Sequence, residues 1–329
     1  MPIEIPIKRR EPHLGEAPDY SCAIYPDPPS HDFCVWLIIA EMMRRHHMAP
    51  GPLTVRLGLI KGQLGTLDFS HYGMASGQAY KCGLSKEYYD TMLAGIMRPA
   101  MAMIGATEEL PAIDLDKPRP VSDLGRYAEY DYHLSNVVDA ARAGFEIPKW
   151  QIPQWAFDEV DDCLAGEKPV VITLRETGNQ PERNSQIDEW LRFAGVIAPD
   201  YPVLFVRDSA QAYARMGSFK TYPMASVNAF VRAALYQRAL VNLMVCNGPN
   251  VWCMFSDAPY ILFKQLIPAL PNWQHGQPEG WLEQDHLKVG DQLPWANKDQ
   301  QFAWADDNFE NILHYFNRFI EQNKQREAA

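Results

Sequence analysis

The chain has 329 residues, 47% of them hydrophobic and 22% charged, which excludes wholesale disorder and gives enough length for two cores of roughly 150 residues each. The formal net charge of -11 repels nucleic acid and anionic lipid, so neither is an expected partner. No apolar run approaches the about 18 to 20 residues that span a bilayer, and the Pro-rich, charged first residues lack the apolar core of a secretory signal.

Residues 1–19 read as an arm and residues 20–153 as a first domain. SCAIY is a buried strand, PDPPSHD a turn, and Phe33 to His46 a helix with Arg44 and Arg45 near its end, where cations suit the helix dipole. Pro50, Gly51 and Pro52 stop it, and LTVRLGLI (Leu53 to Ile60) follows as a second strand. A strand, a helix and a strand in this order imply parallel pairing through a right-handed crossover. The glycine-rich stretch Lys61 to Gly83 reads as a long loop of the kind that forms lids. Ser85 to Gly105 predicts a helix bent near Pro99, Tyr127 to Gly144 another helix, and Trp155 to Gly166 a third beyond a boundary near Pro153.

Residues 154–329 form the second domain. Its strands are PVVITLRE (Pro169 to Glu176), PVLFVRDS (Pro202 to Ser209), LVNLMVCN and PYILF (Pro259 to Phe263). Helices Ser185 to Ile197, Val227 to Leu240 and a short one opening at Val251 separate them, and an amphipathic helix from Asp306 to Gln325 closes the domain. Apolar strands without alternation, separated by helices, indicate a parallel sheet covered on both faces. The fold class is therefore α/β, two Rossmann-like domains with parallel sheets facing a cleft.

Ligands of such sheets bind beyond the carboxyl ends of the strands. The first strand of the second domain delivers Arg175 and Glu176, and the next loop brings Arg183, Asn184 and Ser185 to a helix start, a combination suited to phosphate. The alternative is surface pairing of Arg183 with Glu182 or Glu189 and plain capping by Ser185. Arg207 and Asp208 end the second strand, where Asp208 is either a ligand contact or a turn residue. Asn247, Gly248 and Pro249 end the third and read as a second phosphate cradle. In the first domain Asp27 and His31 are candidates for a general base, against a reading of the same turn as a helix cap. Asp131 and His133 in EYDYH do not share a helix face, and no metal site is expected. Six cysteines without CxxC spacing read as reduced structural thiols of a cytoplasmic protein. Trp273, Trp281, Trp295 and Trp304 are core anchors or, alternatively, stacking platforms.

The pattern from VVITLRE through ERNSQIDEWLRFA, PVLFVRDS and VRAALYQRALVNLMVCNGPNVWCMFSDAPYILF resembles the nucleotide-sugar-binding half of GT-B type glycosyltransferases, with heptosyltransferases and fucosyltransferases as the similar members. The resemblance covers roughly residues 169 to 265 in pattern, and Arg175 matches the arginine that contacts the donor phosphate in the fucosyltransferase-like members. It implies a metal-independent transferase with a nucleotide-diphosphate sugar as donor substrate, no further cofactor, a glycan or other hydroxyl acceptor, and a last helix crossing back to the first domain. The sequence departs from the family in having PDPPSHD where a glycine-rich acceptor loop is expected. A nucleotide-sugar epimerase or hydrolase on the same fold, and a non-catalytic binding or assembly protein, are the alternatives.

Overall fold

In the computed structural model the described residues are 19–25, 30–57, 91–108, 127–130, 133–178, 181–263 and 286–327. The chain divides into two compact units between Gln151 and Ile152. Asp27, the stretch 61–83, Cys82, Asp131, Trp273 and Trp281 lie outside the described residues.

The first unit begins with β1 (Asp19–Tyr25), α1 (Asp32–His46) and β2 (Thr54–Leu57). Residues 33 to 43 of α1 are all buried, as its nearly continuous apolar sequence requires. The one acid among them, Glu41, is 3% exposed and accepts hydrogen bonds from Arg44 Nε at 2.7 Å and Arg45 Nε at 2.8 Å. A π-helical turn at Leu93–Met97 leads into α2 (Arg98–Ile104), with Pro99 in its first turn. Proline has no N–H to return to the preceding turn, so the helix widens at the place where the sequence predicts a bend. Gly105, at φ 73°, ends α2 in the left-handed conformation that glycine tolerates.

β3 (Thr107–Glu108) and β4 (Tyr127–Glu129) complete the described sheet, before α3 (Leu134–Arg142). The helix expected over Tyr127 to Gly144 is corrected here, since its first residues pair with β1 as a strand and the helix starts only at Leu134. All pairings are parallel, in the order β3-β2-β1-β4.

The second unit runs α4 (Gln154–Leu164), β5 (Val170–Thr173), α5 (Ile187–Ile197), β6 (Val203–Val206) and β7 (Lys220–Thr221). Then come α6 (Pro223–Val227), α7 (Ala229–Arg238), β8 (Val241–Val245), α8 (Val251–Met254), β9 (Tyr260–Phe263), β10 (Gln300–Ala303) and α9 (Phe309–Glu327). The helix expected from Val227 to Leu240 begins instead at Ala229, because Asn228 is extended and its side chain accepts from the backbone N–H groups of Phe230 and Val231.

Six parallel strands are ordered β10-β9-β8-β5-β6-β7. The chain winds outward from β5 to β7, crosses back to β8 beside β5, and winds outward again, so the order reverses between β5 and β8. Every residue of β5, β6, β8 and β9 is buried, which is why these strands read as unbroken apolar runs.

One face of the sheet packs Val170, Ile172 and Leu174 against Trp190 and Phe193 of α5 and Ile312, Phe316 and Phe319 of α9. The apolar face of the last helix packs inside the second unit. Phe316 meets Phe193 and Tyr201 at ring distances of 5.3 Å. Among the described residues no helix is long and apolar enough to cross a membrane.

Candidate functional site

Beyond the carboxyl end of β5 the chain forms a braced loop. The backbone N–H of Arg175 donates to Ser185 Oγ at 2.9 Å, and the Ser185 N–H returns to the Arg175 carbonyl at 3.0 Å. Asn184 locks the loop interior: its Oδ1 accepts from Arg175 Nη1 at 2.6 Å and Thr177 N at 3.2 Å, while its Nδ2 donates to the Thr177 carbonyl at 2.9 Å. A 3-10 turn at Pro181–Arg183 then swings Arg183 toward β8, where its Nη2 donates to the Cys246 carbonyl at 3.2 Å. Arg175, Arg183, Asn184, Ser185 and the end of β8 are therefore brought together at the point where the strand order reverses.

Arg175 is 7% exposed. Burial first, and the like charge of Arg183 second, push its pKa down to about 10 against the opposing pull of Asp208, Cys246 and Glu182. The like charge of Arg183 disfavours the charge on Arg175, and an anion beside the two would oppose that effect.

Glu176 and Arg207 are placed differently. Arg207 Nε donates to Glu176 Oε2 at 2.9 Å and Nη2 to Oε1, a two-point ion pair between side chains 8% and 11% exposed. The pair is electrically self-contained and adds no net charge to the edge. Asp208 is half-buried and caps no backbone N–H of the following 3-10 turn with its side chain; Ser209 Oγ donates to it at 3.4 Å.

The structure adds local detail at two of the expected anion sites. At the start of α5 the N-cap amide of Gln186 is not open to a ligand, because Asp307, fully buried, already holds it. Its carboxylate accepts from Gln186 N at 2.9 Å, Gln186 Nε2 at 3.2 Å and Trp190 Nε1 at 2.7 Å. The protein's own acid thus occupies the positive end of that helix, and Ser185 serves the Arg175 backbone rather than capping it. At Asn247, Gly248 and Pro249 the chain makes a 3-10 turn, Gly248–Asn250, followed by the single turn of α8. Helices this short have little dipole to offer. What the turn does present is polar side chains, since the Oδ1 atoms of Asn247 and Asn250 are buried without a hydrogen-bond partner.

In the first unit His31 is half-buried at the N-cap of α1, just past the carboxyl end of β1, but its side chain caps nothing. Ser30 Oγ instead accepts from the Asp32 N–H at 3.1 Å. β1 lies between β2 and β4, where the order of this sheet also reverses.

Among the described residues no group of three or more His, Cys, Asp or Glu side chains is arranged to hold a metal ion. Cys34 and Cys253 are buried, whereas Cys163 is exposed, so burial does not describe all the thiols. Trp295 donates to the Met254 carbonyl at 2.8 Å and stacks on Phe255, and Trp304 donates to the Asp291 carbonyl at 2.8 Å, both as anchors of packed loops.

No family model and no curated protein matches the chain. Three solved structures similar to it are E. coli heptosyltransferase WaaC with ADP-2-deoxy-2-fluoro heptose, E. coli ADP-heptose lps heptosyltransferase II, and the glycosyl transferase family 9 protein from Veillonella parvula DSM 2008. These matches are to glycosyltransferases. The first is 14% identical, with 92% of this chain and 99% of that one covered and a TM-score of 0.43. The second is 10% identical with the same coverage and a TM-score of 0.44, and the third is 10% identical over 76% of this chain and 81% of that one, with a TM-score of 0.42.

Two functional features escaped the sequence. Asp307 sits in ADDNF, where it reads as one more acid before a helix, and Gln186, the residue it holds, is 121 positions away. The self-neutralising pair of Glu176 and Arg207 joins two strand ends 31 positions apart.

Proposed function

We propose that the chain is a glycosyltransferase that binds a nucleotide-diphosphate sugar at the carboxyl edge of β5 and β8. The observation that supports this most is Arg175, buried beside Arg183 at the point of strand-order reversal, where parallel α/β sheets bind their ligands. In this reading an acceptor hydroxyl attacks the anomeric carbon and the bond from that carbon to the diphosphate oxygen breaks. The negative charge left on the diphosphate is met by Arg175 and Arg183. Fixed positive charge aimed at a developing anion is generally the largest catalytic contribution, and here it is supplied by side chains rather than a metal ion.

Glu176 and Arg207 hold the ends of β5 and β6 in place, and Asn184 and Ser185 fix the Arg175 loop. Asp208 and the turn Asn247, Gly248 and Pro249 face the nucleoside and sugar portions. The hydroxyl proton requires a base, and Asp27 and His31 are the residues to test for that role. His31 is the better chemical match, because an imidazole titrates near neutrality. A glycan is the acceptor class of this proposal, and the cytoplasm is its compartment.

The test is release of nucleoside diphosphate from a panel of nucleotide sugars, with and without a mixture of glycan acceptors. Release that requires an acceptor supports transfer. Release without one favours the hydrolase or epimerase reading, and no release and no binding from any donor overturns the proposal.

A further inference from the structure

The two edges of the sheet in the second unit are protected in different ways. β7 is only Lys220–Thr221, and the exposed Lys220 pairs with Glu167 at 3.4 Å. So short an edge, carrying a lysine, is a poor template for another strand. β10 at the opposite edge is longer, Gln300–Ala303, and has no charged residue. An uncharged edge strand with open backbone groups invites pairing with another chain, so a different device has to close it.

The ladder fixes which groups of β10 face outward. The Tyr260 N–H of β9 donates to the Asp299 carbonyl at 2.9 Å, and Gln301 stands opposite Ile261 in parallel register. Backbone groups alternate sides along a strand, so residues 299, 301 and 303 face β9 while Gln300 and Phe302 face away. Neither outward N–H is open. That of Gln300 donates to the Asn297 carbonyl at 3.1 Å. Phe302 is met by a side chain: its N–H donates to Gln292 Oε1 at 2.6 Å, and its carbonyl accepts from Gln292 Nε2 at 3.1 Å. One primary amide thus makes both of the bonds that a neighbouring strand would make to this residue.

Gln292 is exposed, so its amide is held there by its neighbours rather than by burial. Just before it, the Lys288 N–H donates to Asp291 Oδ2 at 2.9 Å and the Asp291 N–H to the Lys288 carbonyl at 2.8 Å, closing a turn. Trp304 Nε1 ties that turn to the end of β10 through the Asp291 carbonyl at 2.8 Å, and Leu293 on the other side is buried.

We propose that the outer edge of β10 is a strand-addition surface that Gln292 keeps closed, and that its partner when open is β10 of a second copy of this chain, paired antiparallel. The bonds of Gln292 to Phe302 are those of a hydrogen-bonded pair in an antiparallel ladder, where two residues exchange both N–H···O bonds. A twofold axis presents each β10 to the other in that direction. The inference rests neither on the ligand site nor on the transfer chemistry.

The test is sedimentation of the full chain, Gln292→Ala and Gln292→Glu over a wide range of protein concentration, with hydrogen exchange of the Phe302 amide measured at the lowest. Gln292→Ala is expected to exchange that amide about tenfold faster than the wild type, as loss of one hydrogen bond allows. Its mass should rise with concentration toward about twice that of the wild type and return on dilution. Gln292→Glu keeps an acceptor for the Phe302 N–H and places a charge at the edge, so it should hold the wild-type mass throughout. If both variants gain mass alike, the association comes from general loosening and the inference falls. It falls equally if Gln292→Ala keeps the wild-type mass at every concentration, or the wild-type exchange rate at Phe302.

Discussion

Arg183 Nη2 donates to the carbonyl of Cys246 at 3.2 Å, tying the loop after β5 to the end of β8. That single bond crosses the place where the sheet reverses its order, so Arg183 both shapes the edge and charges it. Arg183→Ala should lower affinity for a nucleoside diphosphate by about 10- to 100-fold, the range of one to two charged hydrogen bonds, and lower stability by about 1 kcal/mol. Calorimetric titration and denaturant unfolding of the same variant separate the two effects.

Glu176 and Arg207 should behave as a closed unit. Removing either alone leaves its partner buried and unpaired, at a cost of about 3 kcal/mol, while removing both should cost much less than the sum. A double-mutant cycle in urea measures the coupling. Nucleotide affinity of the double variant is expected to stay within about threefold of wild type, because the pair carries no net charge to the ligand.

Asp307 joins α5 to the segment that leads into α9. Asp307→Ala frees Gln186 N and the buried Trp190 Nε1 of their acceptor and should destabilise the second unit by about 3 kcal/mol. Because Gln186 follows Ser185, which braces Arg175, the same change should reduce nucleotide binding. Protection of the 183–186 amides from hydrogen exchange reports this loosening directly.

Glu41 gives the first unit an acid-sensitive point. Burial raises its pKa, but hydrogen bonds and charge from Arg44 and Arg45 more than reverse this, so its pKa is held below the usual carboxylate value of 4.5. A carboxyl depressed in the folded state contributes stability that is complete above its unfolded pKa and lost as pH falls through the folded one. Glu41→Gln should therefore destabilise at pH 7 by about 2 kcal/mol and show less of this loss below about pH 4. Melting curves of both proteins between pH 3 and 7 provide the comparison.

The sequence made β5, β6, β8 and β9 readable because strands buried on both faces must be apolar throughout. It concealed β3, β7 and β10, whose residues TE, KT and QQFA carry too short a pattern at sheet edges. β4 was hidden for the same reason, and three residues of strand ahead of LSNVVDAAR merged into its helical periodicity. Arg175 and Arg183 stood out because charged residues that follow an apolar strand lie at its open end. Asp307 did not, since it acts through contacts that only the folded chain creates.

In the proposed function Arg175 binds the anionic part of a nucleotide. Arg175 is charged at neutral pH, but burial holds its folded pKa at about 10, below the unfolded value, so folding carries a cost for that charge that declines as pH rises from about 10 toward the unfolded value. The direct measurement is the melting temperature of wild type and Arg175→Met at pH 7, each with UDP, GDP, ADP, CMP and their common sugar conjugates. A wild-type rise of about 2 to 4 °C with one nucleoside diphosphate at about a hundred times its dissociation constant is expected. Arg175→Met should show no rise with any of them. A rise of equal size in both proteins, or in neither, would contradict the account.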